Sequence, residues 1–326
     1  MSRRRILIVL LAASLLQLLQ AQENNAPRLP GAQLLVELHS PERLLLTNEH
    51  SELFLSEPAG KFRYGDGYAC GRTTISSDGN TIVVGRDGPD HVPFTRLPEM
   101  IVATYSVQDA RWTNHPHLHA ASGPVAISPD GSKLAFYSQV KEGNKPEDMS
   151  FELRLLDLRI ESTTVVTTLP GRLLSLSWAP DNRRIVFQAA DHIYVGDTNT
   201  GTVLQIGTGR AVSWSPSGEW IAFVACVPSN CQSRPSEGNH TYWSSHYRLT
   251  LMSPTGTNIR SLISFHSAVN PCSQPSWSPD SKKILFTKSR NPDEGTFDVY
   301  MLEVATGKRQ KVFKKTTIVL AWLDTR

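Results

Sequence analysis

The sequence predicts an all-β chain, a six-bladed β-propeller of four-stranded antiparallel blades. Three observations predict it. A strand–turn–strand segment recurs five times, first as TISSDGNTIVV from Thr74, then VAISPDGSKLAFYS from Val125, LSWAPDNRRIVF from Leu176, VSWSPSGEWIAF from Val212 and PSWSPDSKKILF from Pro275. The residue before the turn, Ile75, Ile127, Trp178, Trp214 or Trp277, recurs every 36 to 63 residues, a blade-sized period. A sixth copy stops at Trp322, and its missing strands stand near the other end of the chain.

Residues 1–21 have the layout of a secretory signal peptide. Arg3, Arg4 and Arg5 form a basic start, Ile6 to Leu19 an apolar run broken only by Ser14 and Gln17, and Ala21 a small residue at the cleavage point. The run is too short and too polar at its end for a stable membrane span. Cleavage removes three positive charges and turns the formal +3 into zero, so overall charge makes no case for nucleic acid as a partner. The expected location is periplasmic or secreted. Residues 22–31 are polar and Pro-containing and read as a flexible leader. The propeller domain is expected over residues 32–326, with Ala32 to His39 as a first short strand or edge segment.

Each repeat supplies strands a to d. Strand a ends at the marker residue. In the copy from Val125, Pro129 presets one turn dihedral, Asp130 bonds its own backbone and Gly131 accepts a positive φ. Strand b, Lys133 to Ser138, is nearly all apolar, as a strand packed on both faces must be. Strand c is Phe151 to Leu158 and recurs as MIVATYS, HIYVGDT, YRLTLMS and FDVYMLEV. Three copies then turn at Asn199-Thr200-Gly201, Pro254-Thr255-Gly256 and Ala305-Thr306-Gly307. Strand d is Thr163 to Leu169, with TVLQIG, NIRSLIS and KRQKVFK as its counterparts. For the split blade, Arg43 to Asn48 fits strand b, Glu52 to Ser56 strand c, Pro58-Ala59-Gly60 the turn and Lys61 to Tyr64 strand d. A blade built from both termini closes the ring without an edge.

At these residues the chain resembles the TolB-type propeller repeat, with its [SA]-P-D-[GNS] turn followed by an apolar-aromatic strand, from about Arg43 to Asp324. Ser77 replaces the Pro in the first copy and Ser217 the Asp in the fourth. The resemblance implies an exported protein of the bacterial cell envelope. TolB carries an α/β domain before its propeller, and residues 22–42 leave no room for one, so a TolB-like propeller without that domain is expected.

Function is expected on the face carrying the b–c and d–a connections. The long ones are Asp87 to Glu99, Gln139 to Ser150, Cys226 to His246, Ser289 to Thr296, Asn114 to Pro124 and His266 to Gln274. Alternate residues His115, His117 and His119 in an extended segment point the same way and are candidate ligands for a divalent metal; a polar surface loop is the competing reading. Tyr242, Trp243, His246 and Tyr247 could form a platform for a sugar or peptide, or pack the insertion onto its own blade. Cys70, Cys226, Cys231 and Cys272, an even count in an exported chain, suggest disulfides, with all three pairings open. No other cofactor is indicated. Paired catalytic carboxylates, phosphate loops, nucleotide fingerprints, HExxH helices and G-x-S-x-G elbows are missing from the sequence. The expected function is therefore a scaffold that binds an envelope protein or a saccharide or peptide ligand. The alternative is a metal-dependent propeller enzyme acting on a polysaccharide, because oligogalacturonate lyases use a related repeat and a His-bound metal.

Overall fold

The computed structural model describes residues 43–47, 53–55, 60–62, 73–77, 80–87, 99–106, 109, 111–121, 124–141, 150–170, 173–226, 244–268, 274–291, 296–313 and 318–323. All of them belong to the compact unit Pro41–Arg326. The signal peptide, the leader, the segment Ala32 to His39, and Cys70, Cys231 and Cys272 lie outside the described residues.

The described chain is all-β, a propeller of four-stranded antiparallel blades. Blade 1 is β4 (Thr73–Ile75), β5 (Thr81–Asp87), β6 (Glu99–Ser106) and β7 (Arg111–Ala121). Blade 2 is β8 (Ala126–Ile127), β9 (Lys133–Lys141), β10 (Ser150–Asp157) and β11 (Ser162–Pro170). Blade 3 is β12 (Leu173–Trp178), β13 (Arg184–Ala189), β14 (His192–Asp197) and β15 (Val203–Thr208). Blade 4 is β16 (Arg210–Trp214), β17 (Ile221–Cys226), β18 (Ser244–Met252) and β19 (Arg260–Ala268). Blade 5 is β20 (Ser276–Trp277), β21 (Lys283–Asn291), β22 (Thr296–Glu303) and β23 (Arg309–Phe313). A further four-stranded sheet joins the two ends of the unit. In it β24 (Ile318–Leu323) pairs with β1 (Arg43–Thr47), followed by β2 (Leu53–Leu55) and β3 (Gly60–Phe62). The b, c and d strands read from the sequence at residues 43–64 are thus present, beside the strand that holds Trp322.

Strand b is buried on both faces, as its composition requires. Leu134, Ala135, Phe136 and Tyr137, then Ile185, Val186 and Phe187, then Ile221 to Val224, are all buried. In blades 2, 3 and 4 one face of the sheet packs on the preceding blade and one on the following blade. The cluster holding Tyr137, Leu153 and Phe151 of blade 2 also holds Trp178, Ile185 and Phe187 of blade 3. Another joins Tyr247 and Phe265 of blade 4 to Phe286 and Trp277 of blade 5.

The repeated turn is held by one hydrogen-bond scheme. Ser128 N–H donates to Lys133 O (2.8 Å) and Gly131 N–H to Ser128 O (2.9 Å). The corresponding pair recurs at Ala179 and Asn182, at Ser215 and Gly218, and at Ser278 and Ser281. The fourth turn residue is left-handed in all four: Gly131, Asn182, Gly218 and Ser281 have φ between 57° and 78°. The Ser hydroxyl accepts from the N–H five residues on, as in Lys133 N to Ser128 Oγ (2.9 Å) and Lys283 N to Ser278 Oγ (2.9 Å). In blade 3, where Ala179 has no hydroxyl, Asp181 Oδ1 accepts from Arg184 N–H instead (2.9 Å).

The turns also bond to one another. Ser77 Oγ donates to Pro129 O (2.6 Å), Asp130 N–H to Asn182 Oδ1 (3.0 Å) and Ser217 N–H to Ser281 Oγ (2.9 Å). This is a structural use of the motif's variable last position: Asn182 and Ser281 each reach back to the turn of the preceding blade.

Candidate functional site

The innermost strands would present unpaired backbone groups, and the preceding blade satisfies several of them. Trp214 N–H donates to Ser177 Oγ (3.0 Å) and Val212 N–H to Ser175 Oγ (3.2 Å). Trp178 Nε1 donates to Ala126 O (2.9 Å) and Trp277 Nε1 to Ser213 O (3.2 Å). The indoles of Trp178 and Trp277 are therefore rivets between blades, and they are 5 to 6% exposed. A buried indole needs such a partner for its N–H.

The outer ends of the blades are joined by a second device. In strand d of blades 2 to 5 one residue has no opposite number on strand c: Val166, Ile206, Leu262 and Val312. Such a bulge bends the strand, and Val166, Ile206 and Leu262 join the buried clusters. The c–d turn of the next blade sits on the bulge. A Cβ on Gly201 would stand 3.4 Å from Val166 O and one on Gly307 3.6 Å from Leu262 O, while one on Gly256 would overlap Ile206 O. All three glycines are left-handed, with φ of 70° to 79°.

Both short-turn ends thus do architectural work, and the other face differs. Blade 3 has minimal connections there: Ala190-Asp191 between β13 and β14, and Gly209 alone between β15 and β16. Gly209 N–H donates to Asp191 O (2.9 Å), and Asp191 Oδ1 pairs with Arg210 Nη2 (2.8 Å). Beneath them the buried Gln188 accepts from Ser175 Oγ (3.1 Å) and Ala211 N–H (3.0 Å) and donates to Ala190 O (2.6 Å). In blades 1, 2, 4 and 5 the corresponding b–c connections cover residues 88–98, 142–149, 227–243 and 292–295, which lie outside the described residues.

Several expected site residues are relocated. Asn114 to Ala121 are not loop but part of β7, the outermost strand of blade 1, where His115 stands opposite Val102 and Ala120 opposite Met100. Residues 116–119 face the single residue Ile101. The ladder continues past Pro116 because an outer strand has one free side, where a missing N–H does no harm. His115 therefore sits at the rim of its blade and not on the inner strand that borders the ring axis. Its Nε2 is 3.1 Å from Thr104 Oγ1. Burial lowers its pKa from the ordinary value, only partly opposed by the Glu161 carboxylate, so the ring is neutral at pH 7. The side chains of His117 and His119 lie outside the described residues. Among the described residues no three His, Cys, Asp or Glu side chains cluster for a metal.

The aromatic platform is corrected at one member. Tyr247 is 1% exposed and packs on Phe265, ring centroids 6.2 Å apart, so it belongs to the core of blade 4 and presents no binding surface. Apolar residues alternate along β18, and Tyr247 falls in step with Leu249 and Leu251. His246, also in β18, is exposed; Tyr242 and Trp243 lie outside the described residues, as does the side chain of Cys226. The expected loop ends at His246 and His266 likewise fall inside strands, because β18 begins at Ser244 and β19 runs to Ala268.

Two polar groups were missed in the sequence. Glu161 takes the left-handed turn position (φ 51°) that Gly fills in blades 3 to 5, and its carboxylate acts on His115 of the preceding blade. Its signal was the lack of Gly in the turn after strand c of blade 2. Asp298 is 4% exposed on β22, with Lys311 Nζ 2.7 Å from Oδ2 and that ammonium 5.4 Å from the Tyr300 ring centroid. Nothing in FDVYMLEV distinguished it from a surface carboxylate.

Neither a family model nor a curated protein matches this sequence. Solved structures do. TolB from Acinetobacter baumannii superposes with a TM-score of 0.62 at 15% identity, over 86% of this chain and 66% of its own. The fold is that of a TolB-like propeller. The protein described as TolB from Agrobacterium tumefaciens gives 0.57 at 15% identity, over 84% of this chain and 90% of its own. An oligogalacturonate lyase in complex with manganese gives 0.53 at 15% identity, over 81% and 70%. The chain thus spans just under two thirds of the first of these proteins, and at such identities the likeness is one of fold.

Proposed function

We propose that this chain is an exported, TolB-like propeller scaffold whose six sheets form a closed ring of six blades, and that it binds an envelope protein, or a saccharide or peptide ligand, through the face of b–c and d–a connections. One observation carries the reading: the asymmetry between the faces. The described a–b and c–d turns are short, and several are bonded to a neighbouring blade, as at Asn182, at Ser281 and at Val304, whose carbonyl accepts from Arg260 Nη2 (2.8 Å). The b–c connections vary from two residues, Ala190-Asp191, to the span 227–243. Variable connections on a rigid frame are where recognition is built. Replacing residues 227–243 by a short Gly-Ser linker should abolish capture of envelope components in a pull-down while the thermal melt stays cooperative. Unchanged capture would remove this face from the proposal.

A second reading, a metal-dependent enzyme on a polysaccharide, is supported by the neutral state of His115 and by the fold shared with the manganese-bound lyase. In it His115, His117 and His119 would bind a divalent cation at the rim of blade 1. Metal content of the purified protein, compared with the His117→Ala variant, tests it: equal content in both sinks it.

A further inference from the structure

The charge of this chain is unevenly placed. Residues 210–326, which hold blades 4 and 5 and β24, carry 14 Lys and Arg against 8 Asp and Glu, whereas residues 43–209 carry 15 against 19. The strand registers show where part of the excess surfaces. Arg260 of β19 stands opposite Leu251, on the side of blade 4 that packs on blade 5. Arg309 and Lys311 of β23 stand opposite Leu302 and Tyr300, on the side of blade 5 that packs on blade 4. β19 and β23 are the outermost strands of their blades, and all three cations are exposed. They therefore line the two walls of one seam at the rim, where the blade 5 turn is seated with Gly307 against Leu262 O.

The three cations are not compensated alike. Arg260 Nη2 donates to Val304 O (2.8 Å) and Ala305 O (3.2 Å), which are carbonyls and carry no full charge. The Arg309 side chain has no hydrogen bond or ion pair among the described residues. Lys311 alone has an acid: its Nζ is 2.7 Å from Oδ2 of the buried Asp298, whose Oδ1 has no hydrogen-bond partner. That contact fixes the ammonium and leaves two guanidinium charges uncompensated, and a guanidinium is shaped to take a carboxylate. Side chains two residues apart on a strand, such as Arg309 and Lys311, lie about 7 Å apart, and acids at alternate positions of an extended peptide repeat at the same distance. Ile259, next to Arg260 at the turn end of the seam, is 68% exposed and adds an apolar contact. A sugar would find less here. Tyr300 stacks on Phe286 (centroids 5.5 Å apart, 20° between planes) and carries Lys311 Nζ over its ring at 5.4 Å, so its faces are already covered.

We propose that the rim seam between blades 4 and 5 is a docking surface for an extended acidic peptide segment of a partner protein, its carboxylates meeting Arg260 and Arg309 beside Lys311. The seam is separate from the face of b–c and d–a connections. Its charges are exposed, so the binding is modest and falls as salt rises.

Fluorescence anisotropy of a labelled peptide of alternating Glu and Val, titrated with the full chain at low and at high salt, tests this. The expected result is saturable binding that weakens as salt rises. Arg309→Glu should weaken it about tenfold or more and leave the melting curve unchanged, because the side chain is exposed and bonded to nothing described. Arg111→Glu makes the same charge change at an exposed position on the rim of blade 1 and should leave the affinity as it was. Lys311 is kept in both, since its loss would strand the buried Asp298. The chain with residues 227–243 replaced should bind the peptide like the native one, which separates this surface from the face proposed above. Absence of binding, equal loss in the two Arg variants, or equal affinity for a peptide of alternating Lys and Val overturns the proposal. So does tighter, Arg309-dependent binding of polygalacturonate, since the seam then serves an anionic polysaccharide and not a peptide.

Discussion

Single positions in this propeller are constrained by what the next blade places against them. Gly256 and Gly307 share the same left-handed conformation, yet only Gly256 has a carbonyl, Ile206 O, where a Cβ would go. Gly307→Ala should cost about 1 kcal/mol, the conformational term alone. Gly256→Ala should cost roughly 2–4 kcal/mol, because overlap with backbone adds to it. Urea unfolding of the two variants side by side measures the difference, and equal losses would show that the bulge yields.

The turn carboxylates carry a pH dependence at the same scale. The Ser278 hydroxyl lowers the pKa of Asp280, with further help from Lys282 N–H. At Asp130 and Asp181 burial opposes the charge, and hydrogen bonds from Ser128 and Ser132, and from Arg184 and Arg183, outweigh it. Arg183 holds Asp197 at about 2. A carboxylate whose folded pKa lies below its unfolded value of about 3.9 adds stability above that value and loses it as pH falls through the folded one. Melting temperature should therefore fall between about pH 4 and pH 2, and Asp280→Asn should shrink that fall while lowering stability at pH 7. A melting temperature flat across this range would contradict the assignment.

Among the elements, strand a shows why its tryptophans recur. Trp178 Nε1 donates to a carbonyl of blade 2, whereas Trp214 Nε1 donates within its own turn, to Gly218 O at 3.3 Å. Trp178→Phe strands a buried carbonyl between blades and should cost about 1–3 kcal/mol. Trp214→Phe should cost less in the same denaturant titration. This is also the scale at which the sequence was most legible. Turn residues, marker positions and apolar b strands predicted the element boundaries because turn chemistry and two-sided burial are local properties. Strand d was legible only in part. The extension of β7 through Pro116 and the burial of Tyr247 depend on which neighbour lies opposite, and the chain order does not state that. Asn114 to Ala121 read as a connection for the same reason: a polar, Pro-containing extended segment looks alike in a loop and in an outer strand.

At the scale of the whole molecule, the pairing of the last described strand with the first is the contact to test. β24 supplies the inner strand of a sheet whose other three strands begin at Arg43. Removing residues 318–326 should leave β1 with an open edge. We expect loss of the single cooperative transition and concentration-dependent aggregation, seen by calorimetry and light scattering. A truncated chain that melts as one unit at an unchanged temperature would mean the ring is held without its clasp.

That clasp has a consequence for how the polymer could be rewired. Arg43 and Leu323 stand directly opposite each other in the ladder, a separation of about 5 Å between Cα atoms. A linker of a few residues would span it, and the chain could then be opened elsewhere, at the tight Ala190-Asp191 hairpin for example, to give a circular permutant with every sheet intact. In such a permutant the order of synthesis changes while the set of neighbours does not, so the junction of β24 with β1 becomes one more connection among many.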